Sequence, residues 1–94
     1  MFSNTIQGLR LDICTLTSEC KALAERVDLS RLAGNEPRGA LRALSHKQSQ
    51  IIAMRRELDA RLSRYYALID ERERLDDLGA PTAHLSQAIE RMGA

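Results

Sequence analysis

The side chains best suited to binding chemistry are five basic residues that recur along the middle of the sequence. At about 100° per residue in an α-helix, they fall within one sector of roughly 80°: Arg38, Arg42, His46, Arg56 and Arg64. Ala53, Ala60 and Ala67 follow the centre of this sector at intervals of seven. Three interpretations remain open: a solvated charged face, a second helix-packing surface on which alanine permits close approach, and a phosphate-binding face for RNA or DNA.

Acidic side chains are concentrated just beyond this basic stretch. From Arg38 to Ile69, seven basic residues outnumber two acidic ones, a balance of +5, whereas residues 70–78 carry five acids and two arginines, a balance of −3. The five acids occupy successive helical turns: Asp70, Glu71, Glu73, Asp76 and Asp77. We interpret them as a solvated or partner-facing surface rather than a metal site.

The sequence offers no motif for metal binding, nucleophilic catalysis or cofactor binding. The spacings C-x-x-C and H-E-x-x-H, the EF-hand pattern and a glycine-rich phosphate loop do not occur. His46 is expected to point away from the seam that holds Cys20, and His84 lies in another segment. We therefore expect no catalytic, cofactor-binding or metal-binding residue, no cofactor, and no enzymatic activity.

One segment resembles the first helix of the all-helical chorismate mutases. The resemblance covers about twenty-two residues, from the run Met54-Arg55-Arg56-Glu57-Leu58-Asp59 through Leu68-Ile69 to Arg72 and Leu75. In that family, two arginines about seventeen residues apart bind the carboxylates of the substrate. The resemblance implies that role for Arg55 and Arg72, whereas the position of the family's lysine falls at Ala83.

A single long helix is expected to carry these residues. Residues 36–78 contain one proline, at the start, and no glycine after Gly39. Apolar residues recur there at spacings of three, four and seven, which is the period of one helix face: Leu41, Leu44, Ile51, Leu58, Leu62, Tyr65 and Ile69. At about 1.5 Å per residue the helix is roughly 60 Å long and needs other helices beside it.

Two further helices are predicted around it. Residues 4–33 carry a heptad seam that ends near Val27, with Asn4 or Thr5 as the N-cap. Gly34, Asn35 and Pro37 are typical of a helix end, an N-cap and a first turn, so helices 1 and 2 should form an antiparallel, coiled-coil-like hairpin. In that register Cys20 lies opposite Gln48 and Ile13 opposite Arg55. Gly79 to Thr82 should separate helix 2 from a short helix at 82–92.

Apolar residues outside the first seam suggest a second contact surface. Leu68, Leu75 and Leu78 are rotated from the seam by about 100° or more, and Tyr66 is turned away from Tyr65. Tyrosine is enriched in protein interfaces. The candidate partner-binding residues are therefore the following: Tyr66, Leu68, Leu75, Asp76 and Asp77. Phe2 is expected to close the core against Tyr65.

Composition places the chain among small helical proteins. Its 94 residues, 29% charged and 44% hydrophobic, predict one domain (1–94) with a thin core. A net charge of +1 and the lack of a long apolar run predict no membrane partner and a cytoplasmic location. Cys14 and Cys20 are six residues apart in a helix, too far to bridge. The excess of arginine over lysine is typical of a GC-rich bacterial or phage gene.

These patterns lead to an all-α fold and three functional hypotheses. The first is a non-enzymatic protein–protein interaction module, such as an adaptor, a chaperone-like protein, or an inhibitor or accessory of a larger machine. It would dimerise into a helical bundle, bind another protein, or both. The second is a small dimeric nucleic-acid-binding bundle that uses the arginine face. The third is a chorismate-mutase-like enzyme.

Overall fold

The computed structural model describes residues 2–93, which form three helices and no strand. They are α1 (Ile6–Leu32), α2 (Arg38–Asp77) and α3 (Ala83–Gly93). The predicted all-α fold with a long central helix is confirmed. The molecule is very elongated, with principal dimensions of 70 × 17 × 15 Å. None of the helices in residues 2–93 combines the length and the apolar character needed to cross a bilayer.

Helix α1 begins two residues later than predicted because Thr5 is its N-cap. The Thr5 hydroxyl oxygen accepts a hydrogen bond of 3.0 Å from the Gly8 N–H, which satisfies one of the free amides at the helix start. A Cβ on Gly8 would lie 2.9 Å from the Ser3 Cβ. Glycine at position 8 therefore lets the segment before the helix pack closely against its first turn.

Helices α1 and α2 both end at a glycine in the left-handed region. Gly34 has a φ of +83°, and its N–H bonds to the Arg31 carbonyl at 3.0 Å. The N–H of Asn35 bonds to the Ser30 carbonyl at 2.9 Å, which completes a Schellman cap. Gly79, with a φ of +75°, ends α2 through the same pair of hydrogen bonds. Glycine is suited to both positions because it has no Cβ to oppose this conformation.

The start of α2 differs from the prediction. Asn35 was expected to be the N-cap, but its N–H completes the end of α1 instead. Pro37 precedes the first helical residue, Arg38, and no side chain caps the helix there.

Replacing Gly34 by alanine should destabilise the protein by about 1–2 kcal/mol, because alanine is strained at a positive φ. Gly39 provides the matched control, since it lies in the first turn of α2 outside the positive-φ region and an added Cβ would meet nothing within 4 Å. Gly39→Ala should stabilise by about 0.5–1 kcal/mol. Urea unfolding followed by circular dichroism measures both, and shifts of equal sign would contradict this account.

The core is thin and is shared among all three helices. Seven apolar side chains are buried: Ile6, Leu9, Ile13, Val27, Ile51, Leu85 and Ile89. Leu9 alone among the described residues is a fully buried large side chain. The heptad positions Leu16, Cys20 and Leu23 are only half-buried, so the seam predicted for α1 is covered along part of its length.

Contacts between the helices connect α2 to both of its neighbours. Helix α2 packs against α1 and α3, and α1 also touches α3. Lys47 on α2 forms an ion pair of 2.7 Å with Glu19 on α1. At the other end of α2, the Thr82 hydroxyl donates to the Asp76 carboxylate at 3.2 Å, which ties the start of α3 to the end of α2.

Candidate interaction surfaces

The five basic candidates share one exposed side of α2, called the basic face below. Arg38, Arg42, His46, Arg56 and Arg64 all lie on α2, and all are exposed. The three alanines on the same side of the helix, at positions 53, 60 and 67, are exposed as well. No basic-face side chain takes part in an ion pair with another described residue. This surface is thus accessible to a partner.

The acids at the other end of α2 are exposed too, and residues 70–77 are called the acidic end below. Asp70, Glu71, Glu73, Asp76 and Asp77 all face solvent. A shallow depression of about 500 Å³ lies between Ala67, Asp70, Glu71 and Arg74. Arg74 approaches Glu71 to 4.0 Å, and Asp76 is engaged by Thr82. The remaining carboxylates of the acidic end are free to meet a basic surface.

The apolar candidates for partner binding differ in accessibility. Tyr66 is exposed, with its ring edge-to-face on Tyr65 at a centroid distance of 5.6 Å. Leu68 and Leu75, in the second half of α2, are half-buried. Leu78, which follows the last residue of α2, is 75% exposed. Tyr66 and Leu78 are therefore more accessible to another molecule than Leu68 and Leu75.

Phe2 does not close the core against Tyr65, as the sequence predicted that it would. Phe2 is 38% exposed. The end of α3 lies beside Tyr65 instead. A Cβ on Gly93 would be 3.6 Å from the Tyr65 ring. The sequence pattern did not predict that the last residues of α3 reach this far back along α2.

A groove runs between α1 and α2 at the layer where the sequence predicted polar residues. Its volume is about 380 Å³, and its lining is as follows: Thr17, Cys20, Gln48, Ile51, Ile52 and Arg55. Cys20 and Gln48 thus line one groove. Arg55, which the sequence placed opposite Ile13, is exposed here. Ile52 was not a candidate, yet it is 53% exposed.

Arg61 joins the start of α1 to α2, a role that the sequence did not indicate. Its guanidinium donates to the carbonyl oxygens of Ser3 and of Thr5, the latter at 3.3 Å, and to the Glu57 carboxylate at 2.9 Å. The side chain is only 15% exposed. The spacing of four residues between Glu57 and Arg61 could have indicated their ion pair, but no sequence signal marks the carbonyls.

Replacing Arg61 by alanine should lower the free energy of unfolding by about 2 kcal/mol, because two backbone carbonyls and a carboxylate lose a charged donor. The matched control is Arg64→Ala, which removes an exposed arginine three residues away and should change stability by at most about 0.5 kcal/mol. Thermal unfolding of both variants at equal protein concentration makes the comparison. Equal losses would mean that Arg61 contributes no more than a surface charge.

Arg55 and Arg72 do not converge on one site within a single molecule. They are seventeen residues apart on α2, which is about 26 Å along a helix axis, and Arg72 is half-buried. Among the described residues, no three His, Cys, Asp or Glu side chains lie close enough to hold a metal ion. Cys14 is exposed, Cys20 is half-buried, and both are free thiols.

The geometry therefore defines an elongated all-α protein whose central helix carries a basic face and an acidic end. Comparison with protein-family models, with curated proteins and with solved structures found no match.

Proposed function

We propose that the protein is a non-enzymatic protein–protein interaction module, of the adaptor, chaperone-like or accessory kind, and that it self-associates into a helical bundle. The observation that carries the proposal is a thin core in an elongated molecule whose large apolar side chains remain exposed on several sides. Those with more than half of their surface exposed are the following: Leu11, Leu29, Leu32, Ile52, Tyr66 and Leu78. The free thiols suit a reducing compartment such as the cytoplasm.

The bundle would be built from antiparallel hairpins of α1 and α2. Two contacts support this arrangement. Lys47 bonds to Glu19, and Arg61 bonds to Thr5. Moving fourteen residues forward along α2 thus moves the contact fourteen residues back along α1, as expected for antiparallel helices. The connection between the helices, residues 33–37, is short enough for such a hairpin.

A partner would cover the apolar side chains that a hairpin of two helices leaves exposed. A helix with its side chains is about 10–12 Å wide, so a cross-section of 17 × 15 Å holds about two helices. A single layer of helices buries one stripe of each and leaves the remaining faces in water. Covering an exposed side chain such as Ile52 would be worth about 25 cal/mol per Å² of apolar surface.

The test is light scattering coupled to size-exclusion chromatography over a range of protein concentrations, with absorbance recorded at 260 and 280 nm. We expect a molar mass of twice 10.5 kDa for the dimer, free of nucleic acid. A monomer that co-purifies with another protein would also support an interaction module.

Two results would contradict the proposal. One is nucleic acid bound with an affinity that falls steeply with salt and is lost when Arg42, Arg56 and Arg64 are replaced, which would favour the nucleic-acid-binding hypothesis. The other is stabilisation by a small dicarboxylate that Arg55→Ala abolishes, which would favour the enzyme hypothesis.

A further inference from the structure

We propose that the partner of the basic face is the acidic end of a second copy of this chain, docked antiparallel along α2. This inference rests on the self-association proposed above and adds the surface, the direction and the register. The dimer axis would pass beside Ala60. The basic face of each copy would then extend toward the acidic end of the other.

Charge decides the direction of the contact. The segment from Arg38 to Ile69 has a balance of +5 and residues 70–78 a balance of −3, and the candidate groups in both are exposed. A parallel pair would place like charges together along the whole helix. An antiparallel pair brings opposite charges together at both ends, and opposed potentials favour correct association.

The alanines supply the close approach and locate the axis. Residues seven apart lie on nearly the same side of a helix, so Ala53, Ala60 and Ala67 form one exposed line along α2. Their spacing is symmetric about Ala60. A two-fold axis beside Ala60 therefore places Ala60 against its own copy and Ala53 against Ala67 of the second copy.

The same register matches groups near the ends of the contact. Arg42 lies eighteen residues before Ala60, and Asp77 and Leu78 lie seventeen and eighteen residues after it. Arg42 of one copy thus comes level with Asp77 and Leu78 of the other, to within about one 1.5 Å rise. Leu78 lies on the same side of the helix as Ala60 and is 75% exposed in the monomer, so the arginine stem can cover it. Asp77 is turned by about 100° from that side, so the long arginine side chain bends toward the edge of the contact to pair with its carboxylate.

The arginines near the axis do not oppose one another directly. Arg56 and Arg64 are each four residues from Ala60 and are turned by about 40° to opposite sides of it. Arg56 of one copy is therefore level with Arg64 of the other, but across the width of the contact. Arg61 is withdrawn from the basic face, since it bonds to Glu57 and to the backbone before α1.

Cysteine cross-linking tests the register directly. In a Cys14→Ser/Cys20→Ser background, mild oxidation should convert the Ala60→Cys variant into a covalent dimer. Ala53→Cys alone should form no covalent dimer under the same conditions, and neither should Ala67→Cys. A mixture of the Ala53→Cys and Ala67→Cys variants should cross-link. The three alanines are exposed, so the small change to cysteine should leave the fold intact, which circular dichroism checks.

A charge swap provides a second readout. Arg42→Asp should weaken the dimer roughly tenfold, because the lost attraction and the new repulsion occur twice per dimer. Adding Asp77→Arg to the same chain should restore the affinity. The dissociation constant is measured by analytical ultracentrifugation at low and moderate salt, and that of the unsubstituted dimer should rise with salt.

Each alternative outcome separates this inference from the proposed function. Cross-linking of all three single variants alone would mean a parallel pair. A stable dimer with no cross-link and no response to the charge swap would mean that another face mediates it. Either result overturns the register proposed here but leaves the interaction module intact. A folded monomer at all concentrations overturns self-association itself.

Discussion

Replacing Leu9 by alanine should lower the free energy of unfolding by about 3–5 kcal/mol, the usual loss for a fully buried leucine whose cavity cannot collapse. Leu9 is fully buried near the start of α1. Domains of this size have a total stability of about 5–15 kcal/mol, so a large part of the folded state depends on this one side chain. Urea unfolding followed by circular dichroism at 222 nm measures the loss.

Leu11→Ala is the matched control for this variant. Leu11 is two residues further along α1, so its side chain points to the opposite side of the helix. It is 58% exposed, so its truncation should change stability by at most about 0.5 kcal/mol. Because self-association would add a concentration-dependent term to stability, both variants are compared at one protein concentration. Equal losses of stability in the two variants would contradict the placement of Leu9 on the buried side of α1 and Leu11 on the exposed side.

Replacing Ile89 by aspartate should detach α3 from the rest of the molecule. An isolated helix shorter than about 12–15 residues is barely stable in water, and α3 has eleven residues. It is held by Leu85 and Ile89, its two buried side chains, each worth about 1.5–3 kcal/mol. A carboxylate in place of Ile89 removes one of them and would bury an unpaired charge, which costs more than the remaining contact provides.

Hydrogen exchange measured by mass spectrometry separates detachment from global unfolding. Amides of residues 83–93 should exchange as in an unfolded peptide, while amides of α1 keep their protection. Gln87→Asp introduces the same charge at an exposed position of α3 and should leave protection in place. Loss of protection in α1 as well would mean that α3 and α1 unfold as one cooperative unit.

The local patterns of the sequence predicted the helical elements well. The heptad spacing of α1, the unbroken period of α2 and the glycines at positions 34 and 79 are signals contained within a few residues, and each matches the helices in the structure. Burial of Ile13, Val27 and Ile51 follows from the same periods.

What the sequence could not predict depends on contacts between distant segments. Arg61 binds backbone carbonyls more than fifty residues away, and carbonyls carry no residue-specific signal. Phe2 is exposed and the end of α3 lies beside Tyr65, and periodicity does not define how far a short helix reaches. The candidate surfaces were predicted as faces of a helix, and the exposure of their side chains follows from the helical period. The identity of the partner depends on a second molecule, whose surface this sequence pattern does not describe.

The elongated shape has a consequence for how this molecule moves through solution. Its radius of gyration is 19.9 Å, whereas a compact chain of this length would have about 12 Å. Friction on a rod roughly four times as long as it is wide exceeds that on a sphere of equal mass. A monomer will therefore elute from a gel-filtration column ahead of globular standards of its own mass. Lateral pairing along α2 would double the mass while adding little length, so the dimer would deviate less from those standards than the monomer does.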